Sequence, residues 1–148
     1  MNLFPAFRLL LIAALTVGLP RPAAAQVSVT AAWVPVAPPV VRAHAAYLTL
    51  HNAGADAVVL TGISAPDYAK AQVHDSVDVD GIASMVAIPA LDIPAGGTVA
   101  LRPGGTHIML MGPAASIAEG GRVPLVLTFS DGTVLAVEAE VARRGRGN

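Results

Sequence analysis

The sequence predicts an all-β domain, a Greek-key sandwich or barrel of seven to nine short strands, and three observations point to it. Proline and glycine recur throughout, 12 and 14 times in 148 residues. Between them lie short runs of strand length, rich in Val, Leu, Ile, Thr and Ala. No long segment shows the 3.6-residue apolar period of an amphipathic helix. A chain of this length holds one domain and little more.

In chain order, the first segment reads as a targeting signal. Residues 9–19 are an apolar run preceded by Arg8 and followed by Pro20, Pro22 and Ala23-Ala24-Ala25. Small residues at Ala23 and Ala25 fit an A-x-A cleavage site, which makes residues 1–25 a cleavable signal peptide and residues 26–148 the mature domain. The run is short for a transmembrane helix, so no stable membrane insertion is expected after cleavage. No cysteine follows it to carry a lipid. In a bacterium the destination is the periplasm.

Strands are expected near residues 27–33, 45–51, 57–63, 70–77, 82–88, 98–101, 106–111, 122–130 and 133–141. The last two form the clearest pair, with Val123, Leu125, Leu127 and Phe129 on one face, then Leu135, Val137, Ala139 and Val141. That alternation describes a half-buried antiparallel pair. Asp131-Gly132 between them reads as a two-residue type I′ turn. Residues 89–105 read as the loop-rich stretch. The end of the chain, Arg143-Arg144-Gly145-Arg146, reads as a solvated basic tail.

Composition excludes several functions. Net charge is −1 with no block of one sign, so no basic face for nucleic acid is expected. There is no cysteine, which removes disulfides, thiolate nucleophiles, zinc–cysteine clusters and blue copper. The glycine pairs at 96–97, 104–105 and 120–121 lack the strand–loop–helix setting of a phosphate cradle. No serine lies in a G-x-S-x-G elbow. Asp75, Asp78 and Asp80 lack calcium-loop spacing and read as a solvated hairpin tip.

The methionines and histidines carry more. Past the signal segment only Met85, Met109 and Met111 remain, two of them in Thr106-His107-Ile108-Met109-Leu110-Met111. In a strand, His107, Met109 and Met111 share one face and Ile108 and Leu110 the other. One imidazole beside thioethers suits a soft ion such as Cu(I). The competing reading of this hexapeptide is packing, since methionine is a common gap-filler. Asp80-Gly81 reads as a hairpin turn. Pairing Val79 with Ile82 sets Ser76 opposite Met85, with His74 diagonal to Met85 on the same face. Thioethers need no deprotonation and suit an oxidising compartment. His44 and His51 read as surface residues, and Trp33 and Tyr47 as core.

At these residues the chain resembles the periplasmic copper chaperones associated with assembly of the dinuclear copper centre of cytochrome c oxidase. That family's pattern is His, ten residues, Met, twenty-one residues, then His-x-Met. Here His74, Met85, His107 and Met109 stand at those spacings. The flanking text is similar too: Ala32-Trp33, Ala46-Tyr47-Leu48, the Pro103-Gly104-Gly105 lead and Leu127-Thr128-Phe129. The resemblance implies a cupredoxin-like fold and one Cu(I) per chain held by His74, Met85, His107 and Met109. It also implies a copper-receiving partner, an oxidase subunit or another copper chaperone. The chain departs at Asp75 and Ala83, where many relatives have methionine, and its tail lacks their His- and Met-rich extension. The alternative is an Ig-like periplasmic interaction domain that uses His and Met for packing. A redox enzyme or electron carrier is disfavoured by the missing cysteine and an all-soft donor set.

Overall fold

The structure, a computed structural model, describes residues 26–143. The signal segment and the tail beyond Arg143 lie outside the described residues. Ten strands follow one another: β1 (Val27–Pro35), β2 (Ala43–Asn52), β3 (Val58–Ser64), β4 (Tyr68–Val79), β5 (Ile82–Ile88), β6 (Leu91–Ile93), β7 (Thr98–Leu101), β8 (His107–Pro113), β9 (Arg122–Phe129) and β10 (Val134–Ala142). Nine match the expected strands. The tenth, β6, falls in the stretch read as loop. Three residues between Pro89 and Pro94 are too few to display alternation. Pairing with β3, from Val58↔Ile93 to Leu60↔Leu91, makes them a strand.

The strand order is β5-β4-β8-β2-β1-β10-β9-β3-β6, with β7 also beside β2. Neighbours are antiparallel except β1 and β10, the first and last strands, which run parallel through Trp33↔Glu140 to Pro35↔Ala142. The core is built from alternate positions: Leu48 and Leu50 of β2, Ile108 and Leu110 of β8, and Val123, Leu125, Leu127 and Phe129 of β9 are all buried. Each such Leu or Ile contributes roughly 1.5–3 kcal/mol by leaving water.

The β9–β10 faces are those expected, but the turn is not. Only Gly132 of Asp131-Gly132 has positive φ, at 85°. The Gly132 N–H donates to the Phe129 carbonyl at 3.0 Å and the Phe129 N–H to the Thr133 carbonyl at 2.9 Å. This is a wider connection, a turn followed by a left-handed glycine, rather than a two-residue type I′ turn.

Two irregularities shape the corner that holds the candidate site. First, β2 changes partner along one edge. Its residues Leu48–His51 pair with β7, and its residues Ala43–Ala46 pair with β8. The changeover falls at Tyr47, so the β7–β8 loop with Gly104 and Gly105 sits beside that ring. Second, β1 bulges against β2 between Thr30 and Trp33. Ala31 there takes φ 51°, a conformation that costs a non-glycine residue roughly 1–2 kcal/mol. The bulge sets Trp33 opposite Tyr47, ring centroids 4.9 Å apart.

Candidate metal centre

Strand alternation decides which way β8 presents its side chains. Ile108 and Leu110 are wholly buried. His107, Met109 and Met111 therefore point to the opposite face, as the hexapeptide predicts. The β4–β5 hairpin has the predicted register, with Val79↔Ile82 and Ser76↔Met85 paired. Asp80 and Gly81 have φ 54° and 79°, the two positive values of a type I′ turn. A hydrogen bond from the Gly81 N–H to Asp78 Oδ1, 2.8 Å, closes it.

The β4–β8 pairing joins the two halves. His74 lies directly opposite His107, and Gln72 opposite Met109. The two imidazoles are near-parallel, with centroids 6.1 Å apart and planes at 22°. Met109 is one same-face step from His107, and Met85 is diagonal to His74. A cavity of about 250 Å³ opens among Ala45, Tyr47, Ser76, Met85, His107 and Met109. Met111 lies one step further along, between Ala43 and Lys70, away from that cavity.

The two histidines are held differently. His107 is only 4% exposed. Its Nδ1 is 2.9 Å from the Gly105 carbonyl oxygen. A carbonyl can only accept, so Nδ1 carries the proton and Nε2 keeps its lone pair. The Ser76 hydroxyl donates to the same carbonyl at 3.3 Å, tying β4 to the loop that orients His107. His74 has no such partner. Its Nδ1 is the one buried side-chain nitrogen or oxygen among the described residues left without a hydrogen bond. Leaving a buried polar atom unpaired costs about 1–3 kcal/mol.

Three side chains lie elsewhere than expected. His44 is buried, not on the surface, with Nδ1 2.8 Å from the Tyr68 hydroxyl. Burial pushes its pKa below the ordinary 6.5. It sits on the core side of β2 because it shares a face with Ala46 and Leu48. Trp33 and Tyr47 are half-buried rather than core. Tyr47 alternates with buried Ala46 and Leu48, faces the cavity, and approaches His107 at 6.5 Å between centroids. Burial raises its pKa, so the phenol stays neutral. Tyr47, Ser76 and the Gly105 carbonyl are the site-wall groups that motif reading missed. The alternation around Tyr47 was the available signal. His51 is exposed, as expected.

Among the described residues no group of three or more His, Cys, Asp or Glu is placed to hold an ion.

Comparison with known proteins agrees with this architecture. The family described as "Putative lipoprotein LpqE-like" matches residues 27–141. "Putative lipoprotein Lxx21020" of Leifsonia xyli subsp. xyli (strain CTCB07) is 35% identical over 116 residues, 78% of this chain and 69% of that protein. The uncharacterized protein RP573 of Rickettsia prowazekii (strain Madrid E) is 28% identical over 99 residues, 66% of this chain and 55% of that one. Among solved structures, the copper-bound PCuAC domain from PmoF2 superposes with a TM-score of 0.68 at 17% identity, covering 85% of this chain and all of that domain. Apo-DR1885 from Deinococcus radiodurans gives 0.64 at 32% identity, over 99% of both chains. Its Cu(I) form gives 0.63 at 35% identity, over 76% of each. The cupredoxin-like β architecture is thus the fold of this chain, which belongs to the LpqE-like family.

Proposed function

We propose that the protein is a periplasmic metallochaperone. It carries one Cu(I) per chain on His74, Met85, His107 and Met109 and hands it to a partner during assembly of the cytochrome c oxidase copper centre, an oxidase subunit or another copper chaperone. Residues 1–25 act as the cleaved export signal and residues 26–148 as the carrier. The observation that carries this reading is that two imidazoles and two thioethers share one sheet face, and that three of the four, Met85, His107 and Met109, line one cavity, while His74 stands beside it opposite His107. Soft, neutral donors favour a soft monocation and leave its charge uncompensated, which suits release. The copper-bound PmoF2 domain and Cu(I)-DR1885 support copper as the cargo.

The donor atoms fit that cargo. His107 offers Nε2, since Gly105 holds its other nitrogen. The Nδ1 of His74 is buried without a partner, and an ion bound there would supply one. Met85, 58% exposed, is the ligand an incoming donor reaches first, and buried His107 is the last to let go. Transfer then proceeds by stepwise ligand exchange and requires no catalytic residue.

Anaerobic reconstitution of the apo protein tests the reading. One Cu(I) per chain is expected, with preference over Zn(II), which favours His, Cys and carboxylate donors. Equal zinc uptake in competition, dependent on the same four residues, would contradict the site. Loading should also weaken on acidification, because protons compete for the imidazole nitrogens and not for the thioethers. A flat response would mean that the methionines alone hold the ion.

A further inference from the structure

The β4–β5 hairpin runs past the end of the sandwich. β8 accompanies β4 only as far as His74↔His107. β4 and β5 continue, paired, to Val79↔Ile82. β5 ends the strand order, so its outer edge has no strand neighbour among the described residues. The alternation of a core-facing strand nevertheless continues into the overhang. Val73 is buried, but Val79, Ile82 and Val86 on that same face are 56%, 68% and 53% exposed. Exposed apolar side chains along an open strand edge favour association.

Charge says what associates. The hairpin carries Asp75, Asp78 and Asp80, and the chain has no Lys or Arg between Lys70 and Arg102. Among the described residues none of the three is in an ion pair, and the one salt bridge joins Arg143 to Glu119. Asp78 and Asp75 accept hydrogen bonds only from uncharged groups, the Gly81 N–H and the Thr106 hydroxyl. A second copy docked here about a two-fold axis would set these carboxylates against themselves. An anionic bilayer would be repelled by the same charges.

We propose that this overhanging hairpin is the docking surface for the copper-exchange partner, and that the partner presents an apolar patch rimmed by lysine or arginine. The inference rests on the copper reading of the site, because Met85 stands on the same hairpin. Met85 pairs with Ser76 and so points to the face opposite Val79, Ile82 and Val86. The partner therefore wraps the open β5 edge, gripping the apolar face and reaching the exposed thioether on the other, with His107 left undisturbed.

Two synthetic peptides with one shared Met–His Cu(I)-binding sequence test it, one flanked by Leu and Lys, the other by Leu and Glu. Copper transfer from the loaded full chain is timed for each. The Lys-flanked peptide should take copper at least about tenfold faster at low ionic strength, with the gap closing in about 1 M salt. Asp78→Asn/Asp80→Asn should close the same gap while Cu(I) affinity stays unchanged. Ile82→Thr/Val86→Thr should slow the Lys-flanked peptide. Equal rates for the two peptides, or a gap that persists in the Asn variant, overturn the docking surface and leave the copper site standing. Failure to take up Cu(I) at all overturns the site reading first. Binding to phosphatidylglycerol vesicles, or dimerisation, that is lost in Ile82→Thr/Val86→Thr assigns the surface to a different occupant and overturns the proposal.

Discussion

The two halves of the candidate site sit in contrasting surroundings. His107 and Met109 stand on β8, between β2 and β4, above wholly buried Ile108 and Leu110. Met85 stands on β5, an edge strand whose first six residues are all exposed. One half is an anchor whose geometry the core enforces; the other is an arm in solvent. A carrier needs both, because an ion held by four anchored ligands leaves slowly. Substitutions should therefore separate stability from metal affinity differently in the two halves.

Ile108→Ala should have the largest effect. It opens a cavity beneath the anchor and should cost roughly 2–5 kcal/mol in urea unfolding. The four candidate ligands remain, so protein that stays folded should still bind Cu(I). Met109→Leu keeps the volume and should cost under about 1.5 kcal/mol while clearly lowering Cu(I) affinity. Gly81→Ala forces an alanine into φ 79° at the hairpin turn and should cost roughly 1–2 kcal/mol. Its test is whether the loss is confined to hydrogen-exchange protection in the arm, leaving β8 amides unchanged. Met85→Leu should be nearly silent in unfolding, within about 0.5 kcal/mol, yet lower Cu(I) affinity. If Met85→Leu were as destabilising as Ile108→Ala, the contrast between anchor and arm would be wrong.

His44 gives a pH signature on the anchor side. Burial lowers its pKa in the folded protein below 6.5, so the unfolded chain takes up the proton first as pH falls. The unfolded state then binds more protons, and stability declines with falling pH. That contribution is fully present above pH 6.5 and is lost as pH falls through the folded value. His44→Gln, which can still hydrogen-bond Tyr68, should flatten the slope of the urea midpoint below pH 6.5. An unchanged slope would mean that other groups govern acid sensitivity.

Much of this was legible locally. The alternation of His107 to Met111 fixes which side chains face the core. Asp80-Gly81 fixes the hairpin register because both residues accept positive φ. What escaped depends on contacts distant in sequence. His44 is buried against Tyr68, 24 residues away, although sharing a face with Ala46 and Leu48 already hinted at burial. Tyr47 reads as core by type but faces outward by alternation. β6 exists only through its pairing with β3. Asp131-Gly132 shows the limit of a dipeptide signal, since the strand ends set the loop length. Gly105 stands two residues before His107 and its hydrogen bond is local, but Tyr47 meets that corner because β2 changes partner there, which no local pattern reveals.

The most direct test is anaerobic Cu(I) titration of the wild-type protein beside Met109→Leu, with urea unfolding of both in the apo state. The account predicts one Cu(I) per wild-type chain, a clear loss of affinity in the variant, and apo stabilities within about 1.5 kcal/mol of each other. Stoichiometric binding unchanged by Met109→Leu, or no specific uptake by the wild-type protein, would show that the thioethers pack rather than coordinate.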